Sequence, residues 1–164
     1  MKNILIFDLV DLPAEGIKLT GSAQVSDLKL ESDDRFEFND EFEYDLSLTD
    51  IGSDSVLLLG KISGKTDIVC DRCTQKAKFE ILLPELCHRY ENAYGKELDL
   101  TNKLREDILL SLPQKVLCQE DCAGLCYSCA ADLNEGPCDC EEIIDEDFQS
   151  EDPWAALDAF EESK

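Results

Sequence analysis

The sequence predicts an α+β protein that is mainly antiparallel β: a barrel-like sheet, a covering helix and a C-terminal cysteine-rich zinc knuckle. Three observations carry that expectation. Apolar and polar residues alternate with a period of two over residues 42–49 and 77–83, which is the period of a half-buried strand. The stretch "DLTNKLREDILLSLP" has helical spacing and a proline stop. Six cysteines crowd into "LCQEDCAGLCYSCAADLNEGPCDC", residues 117–140, directly ahead of "EEIIDEDFQSED". The expected division is a sheet domain over residues 1–113, with its helix at 101–112, and a segment over 114–164 holding the knuckle, the acidic run and a short C-terminal helix.

The first 30 residues are ambiguous: "ILIFDLVDL" suits a strand or part of a helix, and "LPAEG" is a turn signal. From Phe42 the pattern clears. Phe42, Tyr44, Leu46 and Leu48 alternate with Glu43, Asp45, Ser47 and Thr49, and "DIGSD" reads as a turn. "SVLLLGKISG" and "TDIVC" form one bent strand or two, with Gly60 and Gly64 as bulge candidates. Ala77, Phe79, Ile81 and Leu83 alternate again, which completes a meander. In the helix, Thr101 is the expected N-cap, Leu104, Ile108, Leu109 and Leu112 share a face, and Pro113 stops it. In "DPWAALDAF", Asp152 caps a short helix and Pro153 suits its first position. Its stripe of Trp154, Leu157 and Phe160 either docks on the protein's own sheet or binds a partner.

The bulk numbers narrow the function. The chain has 164 residues, 43% of them hydrophobic, so a real core is expected rather than disorder. No apolar run approaches the roughly 18 to 20 residues of a membrane span. "MKNILIFDLV" is broken by Asp8 too early for a signal peptide, so the expected location is cytoplasmic. Nine cysteines in that compartment point to metal ligands or free thiols rather than disulfides. The net charge of −23 repels phosphate backbones and anionic membranes and attracts basic proteins.

A structural zinc site needs four soft ligands on two rigid corners. Cys126-Tyr127-Ser128-Cys129 is one corner, because two intervening residues let the backbone curl its amides toward the sulfurs. Cys138-Asp139-Cys140 is the other, and Asn134 and Gly136 help turn the chain between them. The competing reading is a set of reduced thiols in a mobile tail. Cys70, Cys73, Cys118 and Cys122 would make a second site if those segments meet; alternatively Cys118 or Cys122 joins the first site in place of a C-terminal ligand. Cys87 is expected to be a buried apolar residue. "CDRC" between two strands does not suit a redox motif, which belongs at a helix start. His88, the one histidine, beside Arg89 and Tyr90, reads as a surface residue. No spacing of carboxylates points to catalytic magnesium, and no enzyme is expected.

Charge is distributed unevenly. Residues 116–163 hold 15 Asp and Glu and no Lys or Arg. Glu141, Glu142, Asp145, Glu146 and Asp147, with Trp154, are the candidate partner-binding residues for a basic protein. Residues 55–79 are the reverse: Lys61, Lys65, Arg72, Lys76 and Lys78 face only Asp67 and Asp71. That patch is the alternative, a direct RNA-binding surface, weighed against ordinary solvated strand faces.

The "CDRC" corner and the run "LTNKLREDILLSLPQKVLCQEDCAGLCYSCAADLNEGPCDC", followed by "DPWAAL", resemble the YceD family, the bacterial large ribosomal RNA subunit accumulation proteins. The likeness covers residues 67–160. Ala130 stands where the family often has Gly, and Trp154 where it often has Arg. Losing that Arg weakens any carried-over RNA contact at the C-terminal segment. The resemblance implies a role in accumulation or maturation of large-subunit rRNA, met directly or through a basic ribosomal or ribosome-assembly protein. Because some relatives lack much of the C-terminal cysteine cluster, it implies that zinc stabilises the fold rather than performing the function.

Overall fold

A computed structural model describes residues 4–140 except 11, 14 and 94. The acidic run 141–152 and the helix expected over "DPWAALDAF" lie outside the described residues. The chain divides into two compact units, Met1–Ala123 and Gly124–Lys164. The residues after the helix, with Cys118 and Cys122, therefore fall in the first unit.

In that unit the order is β1 (Ile6–Asp8), β2 (Ile17–Ala23), β3 (Phe36–Glu37), β4 (Phe42–Gly52), β5 (Ser55–Val69), β6 (Lys76–Glu91), β7 (Glu97–Asp99) and α1 (Thr101–Ser111). The alternating segments form an antiparallel meander, β4-β5-β6, with β2 on the far side of β4. β3 pairs with the end of β5 that β4 leaves free. "ILIFDLVDL" contributes a strand, since β1 pairs with β7 in a separate two-stranded ribbon. The "LPAEG" turn is closed by the Gly16 N–H donating to the Pro13 carbonyl at 2.8 Å.

The sheet is open, not a barrel. Among the described residues β2 pairs only with β4 and β6 only with β5, so no strand joins the two margins. β5 is one continuous strand of 15 residues. Gly60 sits where the register between β5 and β6 shifts, and a Cβ there would overlap the Asp45 carbonyl. Gly64 is not a bulge. It pairs in regular register with Ile81, and the Phe42 ring lies against it where a side chain would otherwise stand.

The extra residue of the shift lies on β6, because Gly60 pairs with Leu86 while Ile62 pairs with Leu83. Pro84, which has no N–H for a ladder, sits inside it. The shift exchanges the faces of β6. Before it Ala77, Phe79, Ile81 and Leu83 pack toward the core; after it Leu86 and Tyr90 do. Cys87 is accordingly exposed rather than buried. His88 turns inward: its side chain is 23% exposed, with Nε2 2.6 Å from Asp107 Oδ2 on α1.

The core joins the inner sheet face (Phe42, Leu46, Leu58, Ile62, Ile81) to Leu5, Leu9, Leu100, Leu104 and Ile108. Each fully buried side chain of this kind contributes about 1.5–3 kcal/mol. α1 packs on β6 through Leu104 and Ile108, whereas Leu109 is 38% exposed and off that face. Thr101 is not the N-cap. Leu100 holds that position, and Asp99 accepts from the Thr101 N–H at 2.9 Å. Leu112 turns extended ahead of Pro113, as a residue before proline must.

Candidate metal centre

The tip between β5 and β6 is "CDRC". The Cys70 N–H donates to the Gln75 carbonyl and the Thr74 N–H to the Cys70 carbonyl, each at 2.9 Å. The two residues between the cysteines pull the segment after α1 onto this tip. Asp71 Oδ2 accepts from the Val116 N–H at 2.7 Å, and the Asp71 N–H donates back to the Val116 carbonyl at 2.8 Å. Arg35 forks onto both Asp71 oxygens at 3.1 and 2.8 Å and also reaches the Gln114 carbonyl at 2.8 Å. The Val116 amide first, then Arg35, holds the Asp71 carboxyl below its usual range. Arg72 donates to the Cys122 carbonyl at 2.6 Å. Cys118 and Cys122 thereby meet the tip, and all four sulfurs lie within 4.8 Å of one another.

The second unit repeats the same corner. The Cys126 N–H donates to the Ala131 carbonyl and the Ala130 N–H to the Cys126 carbonyl, each at 2.8 Å. In both corners the amide two residues on approaches the first sulfur at 3.4 Å: Arg72 to Cys70 and Ser128 to Cys126. In both, the residue four positions on is left-handed, with Thr74 at φ 61° and Ala130 at φ 58°. The sulfurs of Cys126, Cys129, Cys138 and Cys140 also lie within 4.8 Å of one another. Cys118 and Cys122 belong to the other group, so neither replaces a ligand here. Among the described residues of this unit, 124–140, no side chain is buried.

The two groups fit a tetrahedral metal ion. Bonds of about 2.3 Å to four thiolates set the sulfurs about 3.8 Å apart. Cys70 and Cys122 are 3.7 Å apart and Cys73 and Cys118 3.5 Å apart, far beyond the ~2.05 Å of a disulfide. Each corner favours a thiolate at its first cysteine. Burial pushes the Cys70 thiol up, but the amides of Cys73, Arg72 and Cys118 outweigh it and bring it to about 6. The Cys129 amide, then the Cys138 thiol and the Ser128 amide, lower Cys126 to about 6. Burial pushes Cys118 up to about 12. A bound cation removes that opposition, because a coordinating thiol is deprotonated. Either group could hold one metal ion.

The basic residues are dispersed. Lys76 pairs with Glu37 at 2.8 Å and Lys78 with Asp67 at 2.9 Å. Lys61 stands opposite Asp45 and Lys65 opposite Glu80 in the ladders. Arg72 is committed to the cysteine tip. The outer sheet face is thus mixed rather than positive. The acidic candidates Glu141, Glu142, Asp145, Glu146 and Asp147, and Trp154, lie outside the described residues. Sequence reasoning missed Arg35, Asp71 and Val116. The Asp-Arg pair between two cysteines was the available sign that this corner grips a distant segment.

Residues 89–161, a little under half the chain, match the family model described as Large ribosomal RNA subunit accumulation protein YceD. The match takes in six of the clustered cysteines and starts after Cys70 and Cys73. A similar protein is the "Large ribosomal RNA subunit accumulation protein YCED homolog 1, chloroplastic" of Arabidopsis thaliana, 36% identical over 45 residues. That stretch is 27% of this chain and 14% of the plant protein, so the chain spans a small part of that relative's length. No solved structure matches. Among the described residues no helix is long and apolar enough to cross a membrane.

Proposed function

We propose, from the match of residues 89–161 to the YceD family model, that the chain is a non-enzymatic cytoplasmic factor supporting accumulation or maturation of large-subunit ribosomal RNA. It acts by holding a basic ribosomal or ribosome-assembly protein until that protein meets rRNA. The observation that carries this mode is the run 116–163, with 15 carboxylates and no Lys or Arg. Such a charge run speeds encounter with a cationic protein and disfavours phosphate. The pairing of Lys76 and Lys78 with Glu37 and Asp67 supports protein over RNA as the direct ligand.

Zinc in each cysteine group is the structural part of the reading. Four thiolates complete a tetrahedral shell and leave no position for a catalytic water. Cys70, Cys73, Cys118 and Cys122 would hold one ion and Cys126, Cys129, Cys138 and Cys140 the other. The second unit needs its ion most, since its described residues bury no side chain that could replace it.

The test is affinity capture on the purified protein from dissociated large subunits, at stepped salt, with bound protein and RNA both identified. Basic large-subunit proteins released by salt support the reading. Retention of rRNA with no basic protein overturns it.

A further inference from the structure

We infer that the two cysteine groups differ in kind. The group at Cys70, Cys73, Cys118 and Cys122 is a closed, slowly exchanging metal site. The group at Cys126, Cys129, Cys138 and Cys140 is an exchangeable one, which yields its ion to an entering thiolate or chelator. This rests on the reading above that both hold zinc.

The corners are near copies, so corner geometry does not set the difference. Each has the same pair of closing hydrogen bonds, the same 3.4 Å amide-to-sulfur approach and the same left-handed fourth residue. What differs is burial. Cys70, Cys73 and Cys122 are buried and only Cys118 is half-buried. In the other group Cys129 is exposed and Cys126, Cys138 and Cys140 are half-buried, with Tyr127 at 89% exposure between the corner cysteines. A closed four-thiolate site gives up its ion when a new ligand enters the shell, so an exposed sulfur marks the way in.

The sequence separations act in the same direction. Cys70 lies 52 residues from Cys122, and Cys73 lies 45 from Cys118. Those ligands separate only if residues 114–122 leave the sheet tip, which breaks the bonds of Asp71 to Val116 and of Arg72 to Cys122. The four ligands of the other group all lie within residues 126–140, and among the described residues of that unit no side chain is buried. Its opening is local, and the first is coupled to the folded core.

The experiment uses the full chain carrying zinc, mixed with excess 4-(2-pyridylazo)resorcinol, and follows metal transfer by absorbance. Two phases of one ion each are expected, with rates at least about tenfold apart because one opening is local and the other is not. N-ethylmaleimide added after the fast phase, followed by peptide mass mapping, should label residues 126, 129, 138 and 140 and spare 70, 73, 118 and 122. Cys126→Ser with Cys129→Ser should remove the fast phase and leave the slow one. Protein that arrives with one ion, held by the four N-terminal cysteines, supports the same order. A single phase releasing both ions, or earlier labelling of Cys70 and Cys122, overturns the proposal while the zinc reading stands. A chain that takes up no zinc overturns both.

Discussion

Ala130 and Ala131 are neighbours of the same residue type, and the corner geometry predicts opposite effects when each becomes glycine. Ala130 is left-handed, at φ 58°, whereas Ala131 is not. Holding an L-residue there costs about 1–2 kcal/mol. Glycine removes that strain but adds roughly 0.5–1 kcal/mol of unfolded-chain entropy. The balance favours Ala130→Gly by about 0.5–1 kcal/mol. Folding of this unit is coupled to its ion, so the gain should appear as roughly two- to fivefold tighter zinc binding. Ala131→Gly incurs the entropy without relieving strain, and should weaken binding by a similar factor. Competition titration of both variants against a chelator of known affinity reads the pair. Equal weakening by both substitutions would refute the geometric argument.

The remaining predictions concern the same two corners. Thr74→Gly, at φ 61° in the tip of the first unit, should raise its melting temperature by about 2–4 °C at fixed zinc, read by calorimetry. Cys126→Ser with Cys129→Ser should cost hydrogen-exchange protection only in 124–140; loss of protection across 42–83 would mean that the knuckle supports the sheet. Asp71→Asn weakens the grip on Arg35 and the Val116 amide. It should speed zinc loss from the N-terminal group and leave the C-terminal group unchanged, a split that mass mapping of alkylated cysteines resolves.

The meander was legible because one sheet face is buried, and burial writes a period of two into residues 42–49 and 77–83. The α1 boundary was legible from Pro113. What depended on pairing between distant segments was not. Closure into a barrel requires β2 to meet β6, and no residue in either strand records that it does not. The outward turn of Cys87 follows from one extra residue on β6, for which Pro84 is the local sign. Proximity of Cys70 to Cys122 could be suggested by counting thiols. It is enforced by Asp71, Arg72 and Arg35, which composition alone presents as surface charges. Thr101 looked like a cap because its hydroxyl precedes the helical run, yet Asp99 lies two residues earlier and accepts the amide instead.

The proposed partner-binding groups are carboxylates, not lysines. Their role is tested most directly by changing Glu141, Glu142, Asp145, Glu146 and Asp147 to their amides. Binding of the variant is then measured against purified basic large-subunit proteins and against large-subunit rRNA. Affinity and association rate for the basic protein should fall, and the salt dependence should flatten, because fewer charges are left for salt to screen over a length of about 8 Å at physiological ionic strength. A variant that keeps every protein partner and binds rRNA more tightly, having lost its repulsion of phosphate, would contradict the account.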